Sequence, residues 1–358
     1  MRGRYRVSGP WHHSLRAVAS FDAVLVVSFG GPEGPDEILP FLENVLRDRP
    51  VPRDRMLEVA AHYRHFGGVS PINAQNRALV AALGLELTAH GLPLPVYWGN
   101  RNWRPLLTDT VRQMAADGIR RAAVFVTSAY GSPSGCRQYL DDLETAHAAA
   151  GDGAPELVKL RLFFNHPGFI EPLAAGLRQA RAIAGHEAPV LMSAHSIPEA
   201  MAARCGYRSQ LLETARLVAE RSGDPPPPWS LVFQSRSGPP AQPWLGPDLG
   251  GALDALGPGT ASVVVVPIGF VSDHMEVVYD LDVVAAGVAQ ERGLAMVRAP
   301  TPGVDGRFVT MIRQLVEEAD DPSAPRLALG RLGPAAAPCP PGCCVTKEKL
   351  ASWTCPRP

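Results

Sequence analysis

The sequence predicts an α/β fold built as two Rossmann-like lobes, each a parallel sheet flanked by helices. Short apolar runs alternate with helix-length amphipathic segments, and alternating β and α implies parallel sheets covered on both faces. The chain has 358 residues, too many for one small core and suited to one large α/β unit or two ordinary lobes. Its apolar content is 46%, enough for a packed interior.

In chain order the strand candidates are DAVLVVSFG, PVYWGN, RAAVFVTSA, ELVKLRLFF, PVLMSAHS, WSLVFQS, SVVVVPIGF and AMVRAP. Each is a short, largely apolar run of strand length. Between them lie helical segments such as SPINAQNRALVAALGLELTAHG, LLTDTVRQMAADG and TPGVDGRFVTMIRQLVEEA. A lobe boundary is expected near FFNHPGF, so residues 21–165 form one lobe and 166–321 the other, about four strands in each. GDPPPPW reads as a Pro-stiffened connector. Residues 322–358 form a Pro-, Ala- and Gly-rich tail that carries cysteines and cannot build a core of its own. Residues 1–20 are basic, lack the apolar stretch of a secretory signal and read as a disordered extension.

The net charge of −1 gives no bulk field for nucleic acid or an anionic membrane. No run reaches the ~18 apolar residues of a spanning helix. The longest, ASVVVVPIGFV, is β-branched and broken by Pro. The expectation is a cytoplasmic protein, a monomer by default, whose clustered cysteines are metal ligands rather than disulfides.

Two stretches carry chemistry. In PVLMSAHSIPEAM a buried-type strand runs into His195 and Ser196, and Pro198 ends it. Functional groups of such folds gather at the carboxyl ends of strands, so His195 faces a crevice; alone, it also suits a hydrogen-bonded structural histidine. In VVVVPIGFVSDHMEVVYDLD a second strand is followed by Ser272, Asp273, His274, Glu276 and Asp280. Helix capping and the helix dipole account for one or two of these acids, not for a His and three acids in so short a span. Imidazole and carboxylate at two strand mouths suit divalent-metal binding or proton abstraction. SFGGPEGPDE is neither GxGxxG nor a Walker loop.

These stretches resemble the ferrochelatase family. The resemblance lies in LMSAHSIP, FQSRSGPPAQPWLGPDL and PIGFVSDHMEVVYDLD, with VVSFGGPEGPDEI, YRHFGGVSPI and YWGNRNWRP in support, and it spans roughly residues 21 to 320. It implies a porphyrin cleft between the lobes and insertion of Fe2+, with His195 as pyrrole proton acceptor or metal ligand and Glu276 opposite it. Asp273, His274 and Asp280 would form an acidic relay for iron or protons. One departure is Glu33, in FGGPEG, where related Gram-positive enzymes often carry a Tyr; Glu33 is the available oxygen ligand there, or else a solvated loop acid.

No apolar lip or anchor is apparent, which suits a soluble substrate. Coproporphyrin III has four propionates, which need cations and hydroxyl or amide donors. Arg47, Ser70 and Thr127 sit in segments matching that duty, with Arg101 and Arg104 as further candidates. The composition is that of a high-GC Gram-positive chain, and similar enzymes there make coproheme for a later haem-pathway enzyme, implying a transient handover. The alternatives are insertion into protoporphyrin IX and, from another class, a non-catalytic tetrapyrrole carrier or Fe–S redox sensor. A sirohydrochlorin chelatase ranks lower because its histidines are arranged differently.

Six cysteines remain: Cys136, Cys205, Cys339, Cys343, Cys344 and Cys355. By resemblance to actinobacterial-type enzymes, Cys136 with Cys339, Cys343 and Cys344 would hold a [2Fe–2S] cluster that pins the tail to the body. Four thiolates suit two irons. The C-x3-C-C spacing leaves zinc open, and Cys355 is an alternative to one of the adjacent pair. Cys205 reads as an incidental thiol.

Overall fold

The computed structural model describes residues 21–47, 51–239 and 241–339. The expected N-terminal extension and Cys343, Cys344 and Cys355 lie outside the described residues. The chain opens with β1 (Ala23–Ser28), α1 (Ile38–Val45), α2 (Arg53–His65), α3 (Ile72–Ala89) and β2 (Val96–Asn100). It continues through α4 (Leu107–Ala116), β3 (Arg121–Val126), α5 (Gln138–Ala150) and β4 (Glu156–Lys159). Then come α6 (Pro167–Ala184), β5 (Val190–His195), α7 (Glu199–Ala202), α8 (Tyr207–Ser222) and β6 (Trp229–Gln234). The last elements are α9 (Leu249–Asp254), β7 (Ser262–Val266), α10 (Met275–Val278), a π-helix (Tyr279–Ala285), α11 (Ala286–Glu291), β8 (Ala295–Arg298) and α12 (Gly306–Asp320).

The strands form two four-stranded sheets, ordered β2-β1-β3-β4 and β6-β5-β7-β8. Every pairing is parallel. All six residues of β1 are buried, as expected of a strand covered on both faces. In each sheet the order reverses beside the first strand, so β1/β3 and β5/β7 are switch points. Their carboxyl ends are where open α/β sheets bind ligands.

The strands divide cleanly, but the core does not. One apolar cluster takes in Val24, Val26 and Phe125 of the first sheet together with Met192, Val264 and Val266 of the second. At its centre Phe125 stacks on Phe163 at 5.2 Å, and Phe169 of α6 meets Phe163 edge-on at 5.4 Å. Phe308 of α12 closes the group 6.0 Å from Phe163. Helix α12 also returns to the first half, where Arg313 pairs with Glu86 of α3 at 2.9 Å.

The described part of the tail is tied to the body. Residues 326–335 have no regular structure, yet body side chains hold their backbone. Buried Asn165 donates to the carbonyls of Leu329 (3.0 Å) and Gly333 (2.8 Å) and accepts at its own carbonyl from Leu329 N–H (2.8 Å). Arg161 is only 1% exposed; it grips Glu318 and donates to Leu327 O at 2.8 Å. Glu213 accepts from Arg331 N–H at 2.5 Å. The polar side chains that satisfy the strap's backbone lie far off in sequence, at positions 161, 165 and 213.

Gly330 makes the strap specific. Its φ is +74°, and a Cβ there would lie 2.0 Å from Glu213 Oε1. Gly330→Ala should therefore loosen the strap, with the left-handed backbone alone costing about 1–2 kcal/mol. Faster tryptic cleavage at Arg326 and Arg331, with a lower denaturation midpoint, is the expected result; an unchanged cleavage rate would contradict the anchoring.

Candidate active site

β5 ends at His195, and the next residues are clamped rather than free. Ser196 N–H donates to Gln234 O at 2.8 Å, and Ser196 Oγ donates to Leu245 O at 2.8 Å. Tyr207 of α8 donates its hydroxyl to His195 O at 2.9 Å. Further along α8, Gln210 accepts from Gly131 N–H, Thr214 donates to Phe164 O and Glu213 receives the tail. One helix thus ties the histidine's backbone to the Cys136 loop, the interlobe segment and the strap.

The imidazole is oriented by its own chain. His195 Nδ1 lies 2.5 Å from Ser196 O. A carbonyl only accepts, so the proton sits on Nδ1. In the neutral ring the lone pair is then on Nε2. Nε2 lies 3.8 Å from Glu276 Oε2, within ion-pair range for a protonated ring but too long for a hydrogen bond. Both side chains remain accessible, 34% and 53% exposed.

Glu276 is brought there by a close backbone approach. After β7, Gly269 N–H donates to Ser193 O at 3.1 Å, and a Cβ at Gly269 would lie 2.7 Å from Ala194 Cα. Only glycine lets this loop press against β5. α10 then presents Glu276, and the π-helix places Asp280 beside β6. There Ser235 holds a left-handed backbone (φ 60°) and donates its hydroxyl to the Asp280 carboxylate. Burial pushes the Asp280 carboxyl above its usual range; the Ser235 hydrogen bond works against the rise and the Glu276 charge adds to it. Burial holds the His274 ring below the usual imidazole range, with Glu276 opposing and His195 reinforcing the drop. From the other lobe, His62 of α2 stacks on Tyr279 at 3.8 Å.

The remaining candidates separate. Asp273 faces Arg298, which holds its carboxylate at 3.0 and 3.3 Å, and its N–H donates to Gln75 Oε1 of α3. Glu33 is bridged by Arg77 at 2.7 and 2.8 Å, chiefly through a hydrogen bond that lowers its carboxyl below the usual range. A bridge between Glu33 and Val69 brings buried Ser70 beside the β1 loop. Thr127, just past β3, donates to Val27 O at 3.3 Å. Arg47 reaches Asn44 O at 2.9 Å and Asn102 Oδ1 at 3.3 Å. Arg101 is fixed by Asp142 and lies over the Tyr139 ring at 4.5 Å. Arg104 contributes its carbonyl, which accepts from Asn100. Cys136 is buried at the start of the turn into α5, and Cys339 is exposed at the end of the strap. Sequence reasoning missed Ser235, Gln75, Tyr207 and Arg298, which act by contacts between distant segments; the two acids nine residues apart at positions 273 and 282 were the one trace of Arg298.

Among the described residues no three His, Cys, Asp or Glu converge to cage a metal. His195 and Glu276 stand as a facing imidazole and carboxylate at the ends of neighbouring strands of one parallel sheet. The ferrochelatase family model matches residues 21–320, and the chain belongs to that family. A protein of Frankia alni named coproporphyrin III ferrochelatase is 54% identical over 90% of this chain and 86% of its own. One of the same name from Streptomyces coelicolor is 50% identical over 91% and 94%. A protein of Rhodopirellula baltica named ferrochelatase is 52% identical over 91% and 93%. Among solved structures, sirohydrochlorin chelatase SirB from Bacillus subtilis subspecies spizizenii in complex with cobalt matches with TM-score 0.48 and 12% identity, covering 83% of this chain and 95% of that one. No described helix is long and apolar enough to cross a membrane.

The buried carboxyl gives a pH signature. Its folded pKa is raised, so Asp280 favours the folded state below the ordinary carboxylate range and that contribution is lost as pH rises through the raised value. Asp280→Asn should raise the melting temperature at pH 7 relative to wild type and remove the advantage near pH 4. Equal shifts at both pH values would contradict a buried, proton-holding Asp280.

Proposed function

We propose that the protein inserts Fe2+ into coproporphyrin III to form coproheme, with His195 and Glu276 on either side of the reacting centre. The observation that carries the reading is the Nδ1 contact to Ser196 O, which leaves a basic Nε2 facing Glu276. Insertion exchanges two pyrrole protons for one Fe2+. As the metal polarises the ring nitrogens, Nε2 takes a pyrrole proton. Glu276 helps deliver the iron and handles protons beside it. Asp280, whose carboxyl is pushed up, and His274, held neutral, continue the relay. Asp273 serves it from outside, as a partner of Arg298.

The choice of porphyrin rests on two relatives of that name at 50% identity or more and on the need to hold four propionates. Ser70, Thr127 and Arg47, with the Glu33–Arg77 pair, line the segments assigned to the macrocycle. We place the reaction in the cytoplasm, with product passed to the downstream haem-pathway enzyme.

A [2Fe–2S] cluster on Cys136, Cys339, Cys343 and Cys344 belongs to the same proposal, with Cys355 as substitute and zinc as alternative metal. Its support is chemical and positional: four thiolates suit the cluster, and a strap held by the body leads directly to Cys339. When bound, the cluster supplies a redox-sensitive cross-link. Cys136 would hold its end inside the body and Cys339 its end at the surface.

His195→Ala should lower Fe2+ insertion by about 100-fold or more while porphyrin binding, followed by fluorescence quenching, is unchanged. Undiminished turnover would remove His195 from the mechanism. In detergent-free buffer coproporphyrin III should turn over faster than protoporphyrin IX; the opposite order would favour the di-propionate substrate. Protein purified without oxygen should carry iron and sulfide at about two each per chain, and Cys136→Ser should abolish both. Zinc in their place would identify the other metal.

A further inference from the structure

Arg298, the last residue of β8, makes four contacts with two carboxylates. Its Nη1 and Nη2 reach Asp273 at 3.0 and 3.3 Å, and its Nε and Nη2 reach Asp282 at 2.7 and 2.9 Å. Asp273 lies just before α10, and Asp282 lies within the π-helix. Glu276 and Asp280 therefore sit on the stretch whose two flanks are held by one planar guanidinium. Thr301 adds a hydroxyl contact to Asp273 at 3.4 Å, and Gln75 fixes the Asp273 N–H from the other lobe.

The segment needs such a clamp. A π-helix carries an extra residue per turn and is a rare, locally unfavourable form, common at functional sites. Reverting to a regular α-helix would advance the downstream residues by about 100° around the axis. Asp282 would then leave Arg298, and Asp280 would leave Ser235. The guanidinium meets the two carboxylates through donors held in a fixed planar fork, a geometry that the single ammonium of lysine does not reproduce.

We propose that Arg298 is a positioning residue for metal insertion: by bridging Asp273 and Asp282 it fixes both flanks of the segment that holds Glu276 opposite His195 and Asp280 against Ser235. This rests on the proposed insertion reaction. It adds a residue that acts through the segment carrying Glu276 and not on the reacting atoms themselves.

The test compares wild type, Arg298→Met, Arg298→Lys and Asp282→Asn in insertion of Fe2+ and Zn2+ into coproporphyrin III, with pH–rate profiles and porphyrin binding. Loss of a group that orients a metal ligand typically lowers activity about 10- to 100-fold. Arg298→Met should show that loss in kcat, little change in porphyrin KM and an altered Fe2+/Zn2+ ratio. Arg298→Lys should recover only part of it, and Asp282→Asn should lose less than Arg298→Met. If Arg298→Met does not fold, Asp282→Asn carries the same readouts. Folded variants with wild-type kcat, metal ratio and pH profile would overturn the inference. A wild type that inserts no Fe2+ would instead overturn the reaction on which it rests.

Discussion

The packing of Phe125, Phe163, Phe169 and Phe308 sets the geometry on which the rest of the molecule depends. These rings come from β3, the segment after β4, α6 and α12, and they lie in one apolar cluster with Met192, Val264 and Val266 of the second sheet. Edge-to-face and stacked pairs contribute about 0.5–1.5 kcal/mol each beyond their buried area. Because close-packed interiors resist small displacements, the carboxyl edges of the two sheets are held at a fixed separation. His195 and Glu276 both belong to the half built on the second sheet, at the ends of the neighbouring strands β5 and β7, so that sheet sets their spacing.

Around that frame the site is organised by contrast. Glu276 is exposed, whereas His195, His274 and Asp280 are half-buried. Burial moves the Asp280 carboxyl up and the His274 imidazole down. The backbone is used as heavily as the side chains: the Ser196 carbonyl selects the tautomer, and Tyr207 holds the carbonyl of His195 itself.

The fold was legible because buried parallel strands are written as continuous apolar runs. DAVLVVSFG and SVVVVPIGF announce themselves without reference to anything else. His195 was legible because a histidine at the end of such a run has few other places to point. Asp273 was harder. Its neighbours suggested a relay, and only the distant Arg298 shows its carboxylate to be a fixed anchor. The π-helix was invisible, since DLDVVAAG reads as ordinary helix and the extra residue is stabilised by contacts to Ser235 and Arg298 from other strands. The strap's anchors were invisible for the same reason: composition registers its lack of apolar side chains, not the buried amide of Asn165 that meets its carbonyls.

That strap has a consequence for how the chain is made. Arg161 and Asn165 belong to the middle of the sequence, yet their partners at Leu327, Leu329 and Gly333 are among the later residues to leave the ribosome. Domains tend to fold as they emerge, so a nascent body would carry a nearly buried guanidinium and a buried amide with backbone partners still missing. A chain cut short before residue 327 would keep both sheets yet leave Arg161 and Asn165 without the strap carbonyls they hold in the full fold, so the loss would fall on stability and not on the strands.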